Sequence, residues 1–251
     1  NKERSAILKL ILEFKLKEQN MPLEYRKVFM HFIKVCLNNA NDGKYFDYFY
    51  EDTKAKNFAF SMFFDKPIYK KSGIELASNR LKVIFTVYEK MEGLILYNSF
   101  LENRGKEVLF SEGSNYMQLN KVTKINEPEV YGNKVLIKMN SPLLVRKHDR
   151  ESNLDKYYCY DNAKFKEELE SNIKRQLQRQ GFSKEFVEGV QVVPVKCKKV
   201  VVKHYGCKLD GNLGNFIIEG NSLILNYLLK AGIGSRHSEG FGQAEFIEEV
   251  L

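Results

Sequence analysis

The 251-residue chain contains no apolar run approaching the ~20 residues that a membrane-spanning helix needs, so a helical membrane protein is excluded. Its opening residues, Asn1 to Ser5, are polar and charged, which argues against a signal peptide. The four cysteines (Cys36, Cys159, Cys197, Cys207) form no CxxC pair, and such scattered thiols in a chain this long suit a reducing, cytoplasmic compartment. Cys197, His204 and Cys207 are the only soft ligands close together, and their spacing fits no zinc pattern. No Walker loop, GxSxG elbow or dinucleotide fingerprint is present. Neither a metal nor a cofactor is therefore expected. Low-complexity stretches and short repeats are also missing.

What is there is a globular composition with a basic bias. Hydrophobic residues make up 43% and charged residues 29%, enough apolar material for one large or two small cores. The net charge is +8 and the pI about 9.1. Residues 1–125 carry 21 Lys+Arg against 15 Asp+Glu, whereas the remainder carries 19 against 17, so the surplus sits in the first half. A basic surface favours a polyanion through counterion release from phosphates. The 18 Phe and 14 Tyr add rings on which unpaired bases can stack.

Assigned in order, the elements repeat. Ser5–Phe14 has the apolar content of a strand, and Pro22 opens a helix over Pro22–Asn38. Asn57–Phe64 and Arg80–Tyr88 are strands by aromatic and β-branched content, Met91–Glu102 a helix, and Tyr116–Ile125 a strand. The second half repeats this order: a strand over Lys134–Val145, a short hairpin partner over Asp155–Tyr160, a helix over Lys164–Gln180, and strands over Val190–Lys196 and Lys198–Lys208. A Gly/Asn-rich turn at Asp210–Asn215 leads to Phe216–Glu219, followed by a helix over Leu223–Ala231 and a last strand over Gln243–Val250. Each half reads strand, helix, strand, strand, helix, strand. The expected fold is α+β: tandem ferredoxin-like (βαββαβ) domains over 1–126 and 134–251, joined through the Pro- and Gly-bearing segment Asn126–Asn133.

Near the C-terminus stands Gly232-Ile-Gly-Ser-Arg-His-Ser-Glu-Gly-Phe-Gly242, with two G-hydrophobic-G pairs around Arg236 and His237. Glycines admit positive φ and close backbone approach, and successive amides with an arginine can cradle an anion. This C-terminal glycine-rich loop resembles the signature of the repeat-associated mysterious protein superfamily. Two stretches narrow the likeness. Lys56-Asn-Phe-Ala-Phe-Ser61 resembles the Lys-x-Phe-x-Phe-Ser stretch of CRISPR pre-crRNA-processing endoribonucleases, and Ser141-Pro-Leu-Leu-Val145 resembles the Ser-Pro-hydrophobic stretch that opens their second half. The resemblance implies tandem ferredoxin-like folds and cleavage of CRISPR precursor RNA within its repeats. It also implies an enzyme that keeps its product or passes it to a multi-subunit interference complex. A second copy of the chain is a further partner to test, and a non-catalytic crRNA-binding subunit of such a complex is the alternative.

Metal-free RNA cleavage needs a base for the 2′-OH, an acid for the leaving 5′-oxygen and a cation for the phosphorane, and yields 2′,3′-cyclic phosphate and 5′-OH ends. Histidine suits the first two roles. Of only four histidines, His31 stands out. On the helix from Pro22, Tyr25, Phe29, Phe32, Ile33 and Cys36 share one side, and His31 faces away from them with Lys27 and Lys34 as neighbours. On the residues alone that face is either solvated or turned to a phosphate. Lys56 matches the lysine that, in the family, faces the scissile phosphate. Relatives commonly place a histidine after the first helix, but Gly43–Lys56 has none here and offers Tyr45, Tyr48 and Tyr50 instead. The expected catalytic set is thus His31, Lys56 and Tyr50. Lys27, Lys34, Gly232, Gly234, Arg236, His237, Gly240 and Gly242 are expected to bind RNA.

Overall fold

The computed structural model describes residues 8–51, 56–127 and 129–250. The chain divides into two compact units, Asn1–Lys56 with Ser61–Glu127, and Asn57–Phe60 with Pro128–Leu251.

The first half runs β1 (Leu8–Leu16), β2 (Asn20–Met21), α1 (Tyr25–Asn39), α2 (Lys44–Tyr50), β3 (Phe58–Phe64), β4 (Ile68–Lys70), β5 (Gly73–Glu75), β6 (Arg80–Val87), α3 (Lys90–Glu102), β7 (Glu107–Leu109) and β8 (Tyr116–Ile125). Its main sheet has the order β3-β6-β1-β8-β7. β1 shows why: Leu10, Leu12, Phe14 and Leu16 are buried while Glu13 and Lys15 are exposed, the period-two signature of a strand with one face on a core. That face meets aromatic side chains from both long helices. Phe14 packs edge-on to Phe32 at 5.0 Å and to Phe29 at 6.0 Å, Phe32 stacks on Phe100 of α3 at 6.0 Å, and Phe100 meets Phe85 of β6 at 5.5 Å. Each such ring contributes roughly 1.5–3 kcal/mol by burial, with a further ~1 kcal/mol for a well-oriented pair. β2, β4 and β5 form a small separate sheet in the order β2-β5-β4.

The second half runs β9 (Lys134–Met139), β10 (Val145–Asp149), β11 (Leu154–Tyr158), α4 (Phe165–Gln180), α5 (Lys184–Glu188), β12 (Gln191–His204), β13 (Cys207–Glu219), α6 (Ser222–Ala231) and β14 (Ala244–Glu249). Its sheet has the order β12-β13-β9-β14. Leu169, Ile173 and Leu177 of α4 recur at helical spacing and are buried, as are Leu225 and Leu228 of α6 and the inward residues Val135, Ile137, Phe216 and Ile218 of the sheet. Counting the four strands of each βαββαβ unit in chain order, both sheets read second, third, first, fourth. The α+β class and the tandem ferredoxin-like architecture are therefore observed.

The structure corrects three local expectations. The strand expected over Lys134–Val145 stops at Met139, because Pro142 cannot donate to a ladder, and a new strand begins at Val145. The two strands expected over Val190–Lys208 are one strand to His204, and the hairpin turns at Tyr205–Gly206 rather than at Asp210–Asn215. Both turn residues have positive φ (48° and 76°), the geometry of a two-residue I′ turn. Asp210–Asn215 instead lies inside β13, where Gly214 pairs with Cys197 next to a register shift at Pro194–Lys196. A Cβ there would stand 2.0 Å from the Lys196 carbonyl oxygen, so its glycine serves a close backbone approach, not a turn. Tyr50, in the segment after the first helix, ends the short helix α2. The expected strand start at Ser5–Ile7 lies outside the described residues.

Candidate active site

Within the first unit, α1 presents its apolar side to the phenylalanine cluster and its other side outward. Phe29, Phe32, Ile33, Cys36 and Leu37 are buried, Lys34 is exposed, and His31 and Lys27 are partly exposed. Lys27 is held by Glu24 one turn earlier, with Nζ 3.0 Å from the carboxylate, so part of its charge is already answered. Lys34 reaches toward α2 instead. Its Nζ lies 5.1 Å from the centroid of the Tyr50 ring, and the Nζ of Lys56 lies 4.5 Å from the same centroid. The Tyr50 ring is in turn stacked on Phe46 one helical turn back, 5.1 Å between centroids, which fixes its plane. Two ammonium groups on one aromatic ring are each drawn by the ring's negative face. Three residues far apart in sequence, Lys34, Tyr50 and Lys56, thus form one cationic cluster, on the same unit as His31.

The second site lies in the second unit, where Asn57–Phe60 of the first motif meets the Ser-Pro stretch and the glycine loop. The glycine loop joins α6 to β14 and is tied by backbone bonds to itself and to the Ser-Pro stretch. The Ile233 amide donates to the Gly242 carbonyl (2.9 Å), Ser235 to Leu144 (3.0 Å) and Gly242 to Pro142 (2.9 Å). The Ser141 hydroxyl accepts from the buried Gln243 amide at 2.9 Å. The Ser-Pro motif is therefore the seat of the loop. Gly242, at φ 64°, has no room for a side chain, because a Cβ would stand 2.0 Å from the Ile233 carbonyl oxygen. Gly234 is similarly crowded by Leu143 and Leu144, while Gly232 is crowded by Ala59 and His237. Gly240 ends the loop's 3-10 turn at φ 87°.

Arg236 and His237 are both engaged inside the unit. The Arg236 Nε donates to the Tyr157 hydroxyl at 3.2 Å and Nη1 to Glu239 at 3.1 Å, while Nη2 lies 3.7 Å from Asp155. Glu239 also accepts from His204 Nε2 at 2.6 Å, and His204 is buried against Phe241 and Tyr205. Burial pushes the Glu239 carboxyl up, but the His204 hydrogen bond and the Arg236 charge outweigh it and hold the group below the usual carboxylate value. Asp155 shows the same balance: burial raises it, and the His148 hydrogen bond and Arg146 bring it below the ordinary value. His237 donates from Nδ1 to the Phe58 carbonyl at 3.1 Å, and burial lowers its pKa. The expected loop residues are thus gathered in one place, with the charge of Arg236 shared among Glu239, Asp155 and Tyr157.

Several residues of this cluster were not singled out by the sequence. Asn57 lies inside the first motif, and its amide donates to Gln180 (2.8 Å) and accepts from the Tyr227 hydroxyl (3.1 Å). Gln176 donates to the Gly232 carbonyl at 2.8 Å. Glu239 had a signal: an acid inside a loop read as an anion cradle implies an internal cationic partner.

Residues 125–246 match the family model described as CRISPR associated protein Cas6, C-terminal. Among solved structures, the chain is similar to one described as CRISPR associated protein Cas6, at TM-score 0.76 and 17% identity, covering 96% of this chain and 100% of that one. It is similar to the product of a Cas6-related gene from Pyrococcus furiosus at TM-score 0.80 and 17% identity, covering 97% and 100%. It is also similar to a RAMP protein described as binding different RNA substrates, at TM-score 0.78 and 17% identity, covering 96% and 100%. At this identity the structural likeness is one of fold. No curated protein matches the chain.

Proposed function

We propose that this chain, whose residues 125–246 match the Cas6 C-terminal model, is a Cas6-family endoribonuclease cutting CRISPR precursor RNA within its repeats. The observation that carries the reading is the convergence of Lys34 and Lys56 on the Tyr50 ring, beside the helix that bears His31. Two cations against one ring concentrate positive charge where a phosphate can dock, and the phosphate lowers their mutual repulsion.

In the proposed reaction the ribose 2′-OH next to the scissile bond attacks the phosphorus in line. His31 takes the hydroxyl proton or gives one to the leaving 5′-oxygen, a role worth roughly 10²–10⁴ in rate. Lys56 stabilises the charge that builds on the phosphorane, worth roughly 10²–10³. Tyr50 holds the two ammonium groups in place and can orient the 2′-OH. Because the nucleophile belongs to the RNA, these side chains suffice without a divalent ion, and the ends are a 2′,3′-cyclic phosphate and a 5′-OH. Lys27 and Lys34 bind RNA backbone, and Gly232, Gly234, Arg236, Gly240 and Gly242 of the glycine loop are a further RNA-binding element. Repeat RNA is the partner, with an interference complex or a second copy as receivers of the product.

The test uses repeat RNA in chelator, alongside the same RNA with one 2′-deoxy at the cut site. Cutting of the first only is expected, with His31→Ala and Lys56→Ala each slowed at least ~10²-fold at unchanged RNA affinity. Tight binding without cutting by the native protein would instead assign the chain as a non-catalytic crRNA-holding subunit.

A further inference from the structure

We propose that the glycine-rich loop is a positioning device for the residue next to Lys56, with His237 as a positioning residue and not an RNA contact. The inference rests on the reading of Lys56 as the residue that meets the phosphate.

Asn57, Phe58, Ala59 and Phe60 group with the second unit, although Lys56 before them groups with the first. Four contacts grip this short segment. The His237 Nδ1–H donates to the Phe58 carbonyl at 3.1 Å. The Asn57 amide is held from two helices, by the Tyr227 hydroxyl of α6 at 3.1 Å and by Gln180 of α4 at 2.8 Å. Gly232 at φ 90° lies so close to Ala59 and His237 that a Cβ would stand 2.7 Å from each of their Cβ atoms. Gln176 fixes the Gly232 carbonyl from α4 at 2.8 Å, which closes the grip from behind. The buried Asn57 cannot shift without leaving buried polar atoms unpaired.

A peptide bond separates this clamped segment from Lys56. The ammonium of Lys56 sits at the end of a flexible side chain, so its aim depends on where its own backbone is pinned. The clamp pins it at Asn57 and Phe58. A misplacement of about 1 Å at a reacting group can cost roughly 10²-fold in rate without any loss of binding. The same geometry explains why glycine stands at 232: any side chain would push Ala59 or His237 aside.

Three variants test this. His237→Ala removes the donor to Phe58, His237→Asn restores one at about the place of Nδ1, and Tyr227→Phe removes the hydroxyl on Asn57 while keeping the ring. Single-turnover cleavage is measured with enzyme in excess. Affinity is measured separately with repeat RNA carrying the 2′-deoxy at the cut site. His237→Ala is expected to slow cleavage about 10–10²-fold with Kd within twofold, His237→Asn to recover to within about threefold, and Tyr227→Phe to slow it about three- to tenfold. A Kd that rises with the loss of rate, with no rescue by Asn, would show that His237 touches RNA and overturn the proposal. Cleavage unchanged in both His237→Ala and Tyr227→Phe would overturn it too. Labelling of Lys56 by an amine-reactive probe, read by peptide mass spectrometry, gives a measure independent of activity. A rate changed at least threefold in His237→Ala and restored in His237→Asn is expected, and an unchanged rate sinks the proposal. A native protein that does not cut, with Lys56 labelling still responding to His237, would fail the cleavage reading and leave the clamp standing.

Discussion

The two ferredoxin-like units share a strand order and differ in how they join the second helix to the last strand. In the first unit that join opens with an uncrowded turn, where Gly105 has φ 81° and a Cβ would meet nothing within 4 Å, and then runs through the short strand β7. In the second it is the loop from Gly232 to Gly242, where glycines are hemmed in by carbonyls and neighbouring side chains. The cores differ in the same sense. The first unit stacks its phenylalanine rings and also buries Asn103 and Asn115, and the second buries a polar frame that includes Asn172, His204, Asn212, Asn226 and Gln243. Asn212 shows the cost and the return. It donates to the Leu143 and Tyr158 carbonyls and accepts from the Tyr160 amide, so the buried group is satisfied and ties three segments together. One topology thus carries an uncrowded join in one copy and a hydrogen-bonded scaffold for a loop in the other.

The contrast can be broken most strongly at the ring cluster. Phe32→Ala removes a ring that contacts Phe14, Phe29 and Phe100, and should cost about 3–5 kcal/mol. Hydrogen exchange should then show protection lost over β1, α1 and β6 while β9 and β13 keep theirs. Gly242→Ala should cost at least about 3 kcal/mol, since it combines positive φ with a collision against the Ile233 carbonyl, and Gly105→Ala only about 1 kcal/mol. Chemical denaturation of the pair measures the difference, and equal losses would erase the distinction between the two joins.

A smaller effect sharpens the comparison through pH. The Glu239 carboxyl lies below its unfolded value, so the stability it contributes is present above that unfolded value and is lost as pH falls through the folded one. Glu239→Gln should lower stability by about 1–2 kcal/mol at neutral pH and flatten the acid limb of the stability profile. An acid limb identical to that of the native protein would mean that the Arg236–Glu239–His204 chain contributes nothing.

Much of the architecture was legible because it follows from periodicity. The alternation in β1 and the helical stripes of α1 and α4 set which face of each element is buried before any contact is known. The errors came where a residue type has two physical uses. Glycine and asparagine at Asp210–Asn215 looked like a turn, yet Gly214 is there to let the Lys196 backbone pass, and the real turn lies at Tyr205–Gly206. The candidate site divided likewise. Lys56, Tyr50 and Lys34 were each nameable from motif or helix face, but their meeting on one ring depends on how α2 packs against α1.

The sequence by itself determined two βαββαβ patterns, a basic surplus in the first half and three motifs in a fixed order, because composition and spacing are local quantities. Only the tertiary structure decided that Asn57–Phe60, the Ser-Pro stretch and the glycine loop form one hydrogen-bonded cluster, that Arg236 is shared among Glu239, Asp155 and Tyr157, and that His237 grips the Phe58 carbonyl. Those facts depend on distances between residues as many as 179 positions apart, and no local pattern encodes them.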